Sequence, residues 1–200
     1  MNKKAKIQLS PLEMELVMRS DWILTKNAVI QKAKLLLEQL QESQQEIVNS
    51  LSFPKEVIVR SPKVSKGENY KGLPYLVLDQ PRYFNREDIF AIRVLFWWGN
   101  FFSSTLHLSG SYKSMYEDTI IQAYPSLKKG DYFICVHTDP WEHDFEAENY
   151  IPLQELSESR FETMIRNHPF IKLAKKLSLE EWETAEEKLL EIFRYYGSLF

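Results

Sequence analysis

The sequence predicts an α+β fold: a mostly antiparallel sheet around a Trp-rich hairpin at about 89–109, packed by a long N-terminal helix at about 21–51 and by C-terminal helices. Three observations lead there. "IFAIRVLFWWGNFFSSTLHLS" sets two apolar runs on either side of Gly99-Asn100, the pattern of two strands and a tight turn. Residues 21–51 contain neither Gly nor Pro. Strands and helices are grouped along the chain rather than alternating, which separates α+β order from a doubly wound sheet.

Ser10-Pro11-Leu12-Glu13 combines an N-cap, a Pro at the first helical position and a capping box, so a short helix is expected over 11–19. A second helix starts at Ser20 or Asp21. At ~1.5 Å per residue its thirty or so residues would reach ~45 Å. Its apolar positions Val29, Ala33, Leu36, Leu40, Ile47 and Leu51 recur at steps of four, three, four, seven and four, close to a coiled-coil seam. That stripe is expected to pack on the sheet; pairing in a homodimer through 21–51 is its alternative use.

"EVIVR" (56–60) and "PYLVLDQ" (74–80) read as strands joined by a mobile loop over 61–72. A two-residue turn at Gly99-Asn100 would fix the hairpin register. Trp98 then faces Phe101, Phe96 faces Ser103, Val94 faces Thr105 and Ile92 faces His107 on one side. On the other, Trp97 meets Phe102, Leu95 meets Ser104 and Arg93 meets Leu106. A helix over 111–123 stopped by Pro125, a strand over 131–138, and helices over 157–167, 170–176 and 178–196 complete the chain. The last has a capping box at Ser178 and Glu181 and the stripe Trp182, Ala185, Leu189, Phe193, Tyr196. The 200 residues are read as one domain, with 1–8 flexible.

Composition narrows the function. A net charge of −3 argues against a nucleic-acid binder, which needs a basic surplus. Cys135 is the only cysteine, so no intrachain disulfide forms, as in a reducing compartment. The basic start "MNKKAK" lacks the apolar run of a signal peptide, and no stretch approaches the ~18 apolar residues of a membrane span. A cytoplasmic protein without a membrane segment is expected. No P-loop, G-x-G-x-x-G, H-E-x-x-H, G-x-S-x-G or C-x-x-C occurs.

Chemistry has few places to sit. His137 and Asp139 in "ICVHTDPWEHDF" (134–145) match the His-x-Asp part of a metal-ligand set, and His107 is the candidate third ligand for a divalent metal. Cys135 between Ile134 and Val136 reads as a small buried hydrophobe. Ser103, Thr105 and His107 alternate along one strand, and small polar groups facing Trp98 and other bulky residues suggest a ligand concavity. Arg93, in an apolar strand, needs a carboxylate such as Asp79, Asp139 or Glu117, or else an anionic ligand. Arg82 near a strand end could join it. The expected function is a non-catalytic module binding a small anionic or aromatic ligand or a protein partner. The alternatives are a metal-assisted or acid–base enzyme acting on a small anionic substrate, and a structural homo-oligomer.

Overall fold

A computed structural model of the chain describes residues 7–200. Most of the flexible segment expected at 1–8 thus lies outside the described residues. The described residues hold one seven-stranded antiparallel sheet in the order β1-β2-β3-β4-β7-β5-β6, with helices packed on one face. The fold is α+β.

Helix α1 (Pro11–Met18) opens on the expected capping box: Ser10 Oγ accepts from Glu13 N–H, and Glu13 Oε2 accepts from Ser10 N–H at 2.7 Å. Helix α2 (Ser20–Ile47) buries Ile30, Ala33, Leu36, Leu37 and Leu40, at the helical spacing of one face. It lies against β2 (Leu73–Phe84) and against the last helix, α7 (Ala185–Gly197). Much of the seam read as a homodimer surface at 21–51 is therefore inside the chain's own core. The first turns of α2, through Thr25, are exposed.

"EVIVR" is not a strand. Lys55–Ile58 forms the short helix α3 after Pro54, burying Val57 and leaving Val59 exposed; proline's fixed φ suits a helix entry. Residues 61–72, read as a loop, contain the edge strand β1 (Lys63–Tyr70), which pairs with β2 from Lys63↔Asp79 to Tyr70↔Leu73. An edge strand is held by backbone bonds and needs few apolar side chains, so its charged sequence hid it.

The hairpin exists, as β3 (Ile89–Trp97) and β4 (Phe101–Ser109), but its register is one residue off the expected one. The loop has three residues, Trp98-Gly99-Asn100. Asn100 N–H donates to Trp97 O at 3.1 Å, and Gly99 takes φ +71°, which a turn of this kind requires at its second central position. Trp98 N–H bonds to Pro74 O of β2 at 3.0 Å instead of joining the hairpin ladder. The pairs are Phe96↔Phe102, Leu95↔Ser103, Val94↔Ser104, Arg93↔Thr105, Ile92↔Leu106 and Ala91↔His107. Every residue of β4 thus acquires a different partner from the one expected.

Helices α4 (Ser111–Gln122), α5 (Tyr124–Lys129) and α6 (Glu158–Asn167) follow the hairpin, α4 and α6 packing on each other. The 131–138 strand is only Phe133–Cys135 (β5), paired with Tyr150–Pro152 (β6). Residues 170–176, read as helix, belong to the strand β7 (Phe170–Ser178), which lies along the whole of β4. Ile171, Leu173 and Leu177 alternate into the helix-side core, while three lysines interrupt the pattern and imitate a solvated helix. The final helix is split: Leu179–Thr184 is a 3-10 turn with a kink at Glu181, and α7 begins at Ala185.

The helix face of the sheet carries Leu76, Leu78, Phe90, Ile92, Val94, Phe96, Phe102 and Leu106. Buried Tyr196 ties α7 to it, donating toward Ser104 O and Leu173 O, both at 3.1 Å. The opposite face is covered in part by the connection between β5 and β6, residues 136–149.

Candidate functional site: a buried polar cluster under the 136–149 segment

The three-residue turn decides what shares the second face. Arg93, Thr105 and His107, expected on two different sides of the hairpin, lie on one. Antiparallel pairing extends the row to Asp79 of β2 and to Lys172 of β7, which is opposite His107. Strand alternation directs these side chains away from the helices.

Arg93 meets Asp79 in a bidentate ion pair, Nε to Oδ1 at 2.7 Å and a terminal nitrogen to Oδ2 at 2.9 Å. This geometry matches a planar guanidinium to a carboxylate. Asp79 is one of the three carboxylates the sequence offers Arg93. The other terminal nitrogen of Arg93 lies 3.3 Å from His143 Nε2, and the ring of Trp141 covers the guanidinium at 5.4 Å.

Lys172 is 2% exposed, in a central strand. Its Nζ donates to Pro140 O at 2.7 Å and Glu142 O at 2.5 Å and lies 3.5 Å from His143 Nδ1. It forms no salt bridge with any carboxylate among the described residues. Burial lowers its pKa to about 8, with the nearby Arg93 charge acting in the same direction.

The 136–149 segment is held down near its middle. Tyr70 OH accepts from His143 N–H at 2.7 Å and Asp144 N–H at 3.0 Å, and its proton points to the Glu142 or Asp144 carboxylate. Asp144 also takes Lys71 Nζ at 2.6 Å and Asn149 Nδ2 at 2.7 Å. Burial pushes the Asp144 carboxyl up, but bonds from Lys71, Glu146 N–H, Tyr70 and Asn149 prevail and hold it at about 2.

His107 packs edge-on against Trp141 and Phe170. It is 5% exposed, and its Nε2 has no hydrogen-bond partner. Burial, reinforced by the Lys172 and Arg93 charges, lowers its pKa to about 3. His143 is pushed well below its usual value by the same three causes in the same order. Both rings are neutral at ordinary pH.

The other expected residues are elsewhere. Trp98 packs with the helix-side core and against the groove beside α1, away from Arg93. Arg82 pairs with Ala91 on the same face as Arg93, and its buried Nε is unpartnered. Ser103 is buried on that face opposite Leu95. Bulky Phe96, Val94 and Ile92, expected to form a concavity with Ser103, Thr105 and His107, are instead buried beneath the helices.

No metal triad forms from His107, His137 and Asp139: among the described residues no three His, Cys, Asp or Glu side chains converge as metal ligands. His137 Nδ1 instead accepts Asp139 N–H at 3.0 Å, and Asp139 Oδ1 accepts Trp141 N–H at 2.9 Å. That is turn chemistry of the kind Asp-Pro sequences provide. The Cys135 thiol is buried and its pKa raised by that burial, the opposite of an activated nucleophile. No helix among the described residues is long and apolar enough to cross a membrane. No protein-family model, no curated protein and no solved structure matches this chain.

Proposed function

We propose that this chain is a non-catalytic interaction module that pairs with a second copy of itself through its N-terminal arm. The observation that carries the reading is helix α1: six of the eight residues of PLEMELVM are apolar and they are spread around the circumference, yet it buries no residue. Apolar side chains in that proportion normally pack against another surface.

The rest of the arm agrees. Ten of the fourteen exposed large apolar side chains among the described residues fall between Ile7 and Leu24, including Leu12, Val17, Met18, Trp22 and Ile23. A contiguous apolar patch of more than a few hundred Å² marks an interaction surface. Burying a Leu- to Trp-sized side chain removes roughly 100 Å² or more from water. Ten together approach the ~800 Å² per partner of a standard interface.

One feature favours a second copy as the occupant. Each arm carries both exposed apolar side chains outside the groove, Leu12 and Met18, and a groove of about 640 Å³ lined by Val17, Trp22, Ile23, Pro74 and Trp98. Two-fold pairing fills both at once.

Sedimentation equilibrium of the full chain tests this. A dimer is expected, converted to monomer by Leu16→Asp combined with Trp22→Ser. A wild-type monomer throughout the accessible concentration range overturns it. Flotation of such a monomer with phospholipid vesicles would assign the arm to a lipid surface instead.

A further inference from the structure

Arg93, Thr105, His107, His143 and Lys172, with Trp141 as the roof, wall a cavity of about 10 Å³ between the sheet and the 136–149 segment. That is room for one non-hydrogen atom and no more. No carboxylate lines it, and two of the walls are cations.

The cluster has a surplus of donors. Arg93 is neutralised by Asp79, but Lys172, almost wholly buried, has only the carbonyls of Pro140 and Glu142 and one ring nitrogen of His143. A buried ammonium without a counter-charge is costly. His143 cannot serve both cations. Its Nε2 faces Arg93 at 3.3 Å and its Nδ1 faces Lys172 at 3.5 Å, and a neutral imidazole accepts at one nitrogen only. The third group is His107, whose buried Nε2 in the same wall has no partner.

We propose that this cavity binds one monatomic anion, of the halide class, as the counter-charge of Lys172, with Arg93 and the Nε2–H tautomer of His107 as further donors. Size excludes carboxylates, phosphate and sulfate. The ion would lock the 136–149 segment onto the sheet, since two of its donors, Lys172 and Arg93, also contact that segment.

Chloride titration at constant ionic strength, with gluconate as the replacing anion, tests the site in the full chain. Above the dissociation constant, each tenfold rise in chloride is expected to raise Tm by about 3–6 °C. Crystals grown in bromide should show an anomalous peak among Lys172, Arg93 and His107. Lys172→Met should abolish both signals, and His107→Leu, which keeps the charge, should weaken chloride binding. A Tm that ignores the anion at fixed ionic strength, or bromide crystals with no peak in the cavity, overturns the proposal.

Discussion

The guanidinium of Arg93 presents two nitrogens to the two carboxylate oxygens of Asp79 across neighbouring strands, at 2.7 and 2.9 Å. With side chains only 19% and 8% exposed, both charges have little water as a substitute partner. Asp79→Asn is expected to cost about 3 kcal/mol or more, because it leaves a buried cation unpaired. Replacing both with apolar residues, Arg93→Met with Asp79→Leu, should cost much less. Urea unfolding of the two variants decides it.

Acid should weaken the fold well before the carboxylates titrate. His107 and His143 have folded pKa values below the ordinary 6.5, so the unfolded chain binds their protons first. Their contribution is fully present above pH 6.5 and is lost as pH falls below it, at up to ~1.4 kcal/mol per pH unit for each ring. Lys172 has the same sign at higher pH: stability should rise between pH 8 and 10.5 as the unfolded chain alone remains protonated there. Tm measured from pH 4 to 10 tests both slopes, and His107→Leu should flatten the acid one.

Tyr70→Phe removes the acceptor shared by the amides of His143 and Asp144. Two backbone donors lose their partner for one missing oxygen, a loss of about 1–3 kcal/mol. Hydrogen exchange should accelerate at these two amides and through the neighbouring 136–149 segment, with β3 and β4 unchanged.

Polar substitutions on the arm should separate association from folding. Because α1 buries nothing within its own chain, Leu12→Ser with Val17→Ser is expected to leave the stability of the monomer within about 0.5 kcal/mol. Calorimetry at low protein concentration reads that, and sedimentation of the same variant reads the lost pairing.

Local signals in the sequence were sound where one residue's chemistry decided an element. Ser10 and Glu13 marked the start of α1, the Gly- and Pro-free stretch marked α2, and the apolar runs marked the hairpin. Arg93, Thr105 and His107 were legible as candidates but not as neighbours: counting two loop residues instead of three assigns them to different faces. Gly99-Asn100 suits either loop, and only the bond from Trp98 N–H to Pro74 O, a contact distant in sequence, removes Trp98 from the ladder. Lys172 was missed for another reason. A lysine inside "FIKLAKKLS" suggests a wet helix face, and its carbonyl partners lie about thirty residues away. The metal-triad reading failed on long-range geometry of the same sort.

The margins of the sheet bear on how copies of this protein meet. At one margin, β1 presents Lys63, Lys66 and Glu68 beside its open backbone groups; at the other, β6 is three residues long and ends in Pro152. Charge, brevity and a missing amide each oppose strand-to-strand growth. A crowded solution of this protein should therefore form discrete particles rather than fibrils, and thioflavin fluorescence should stay flat.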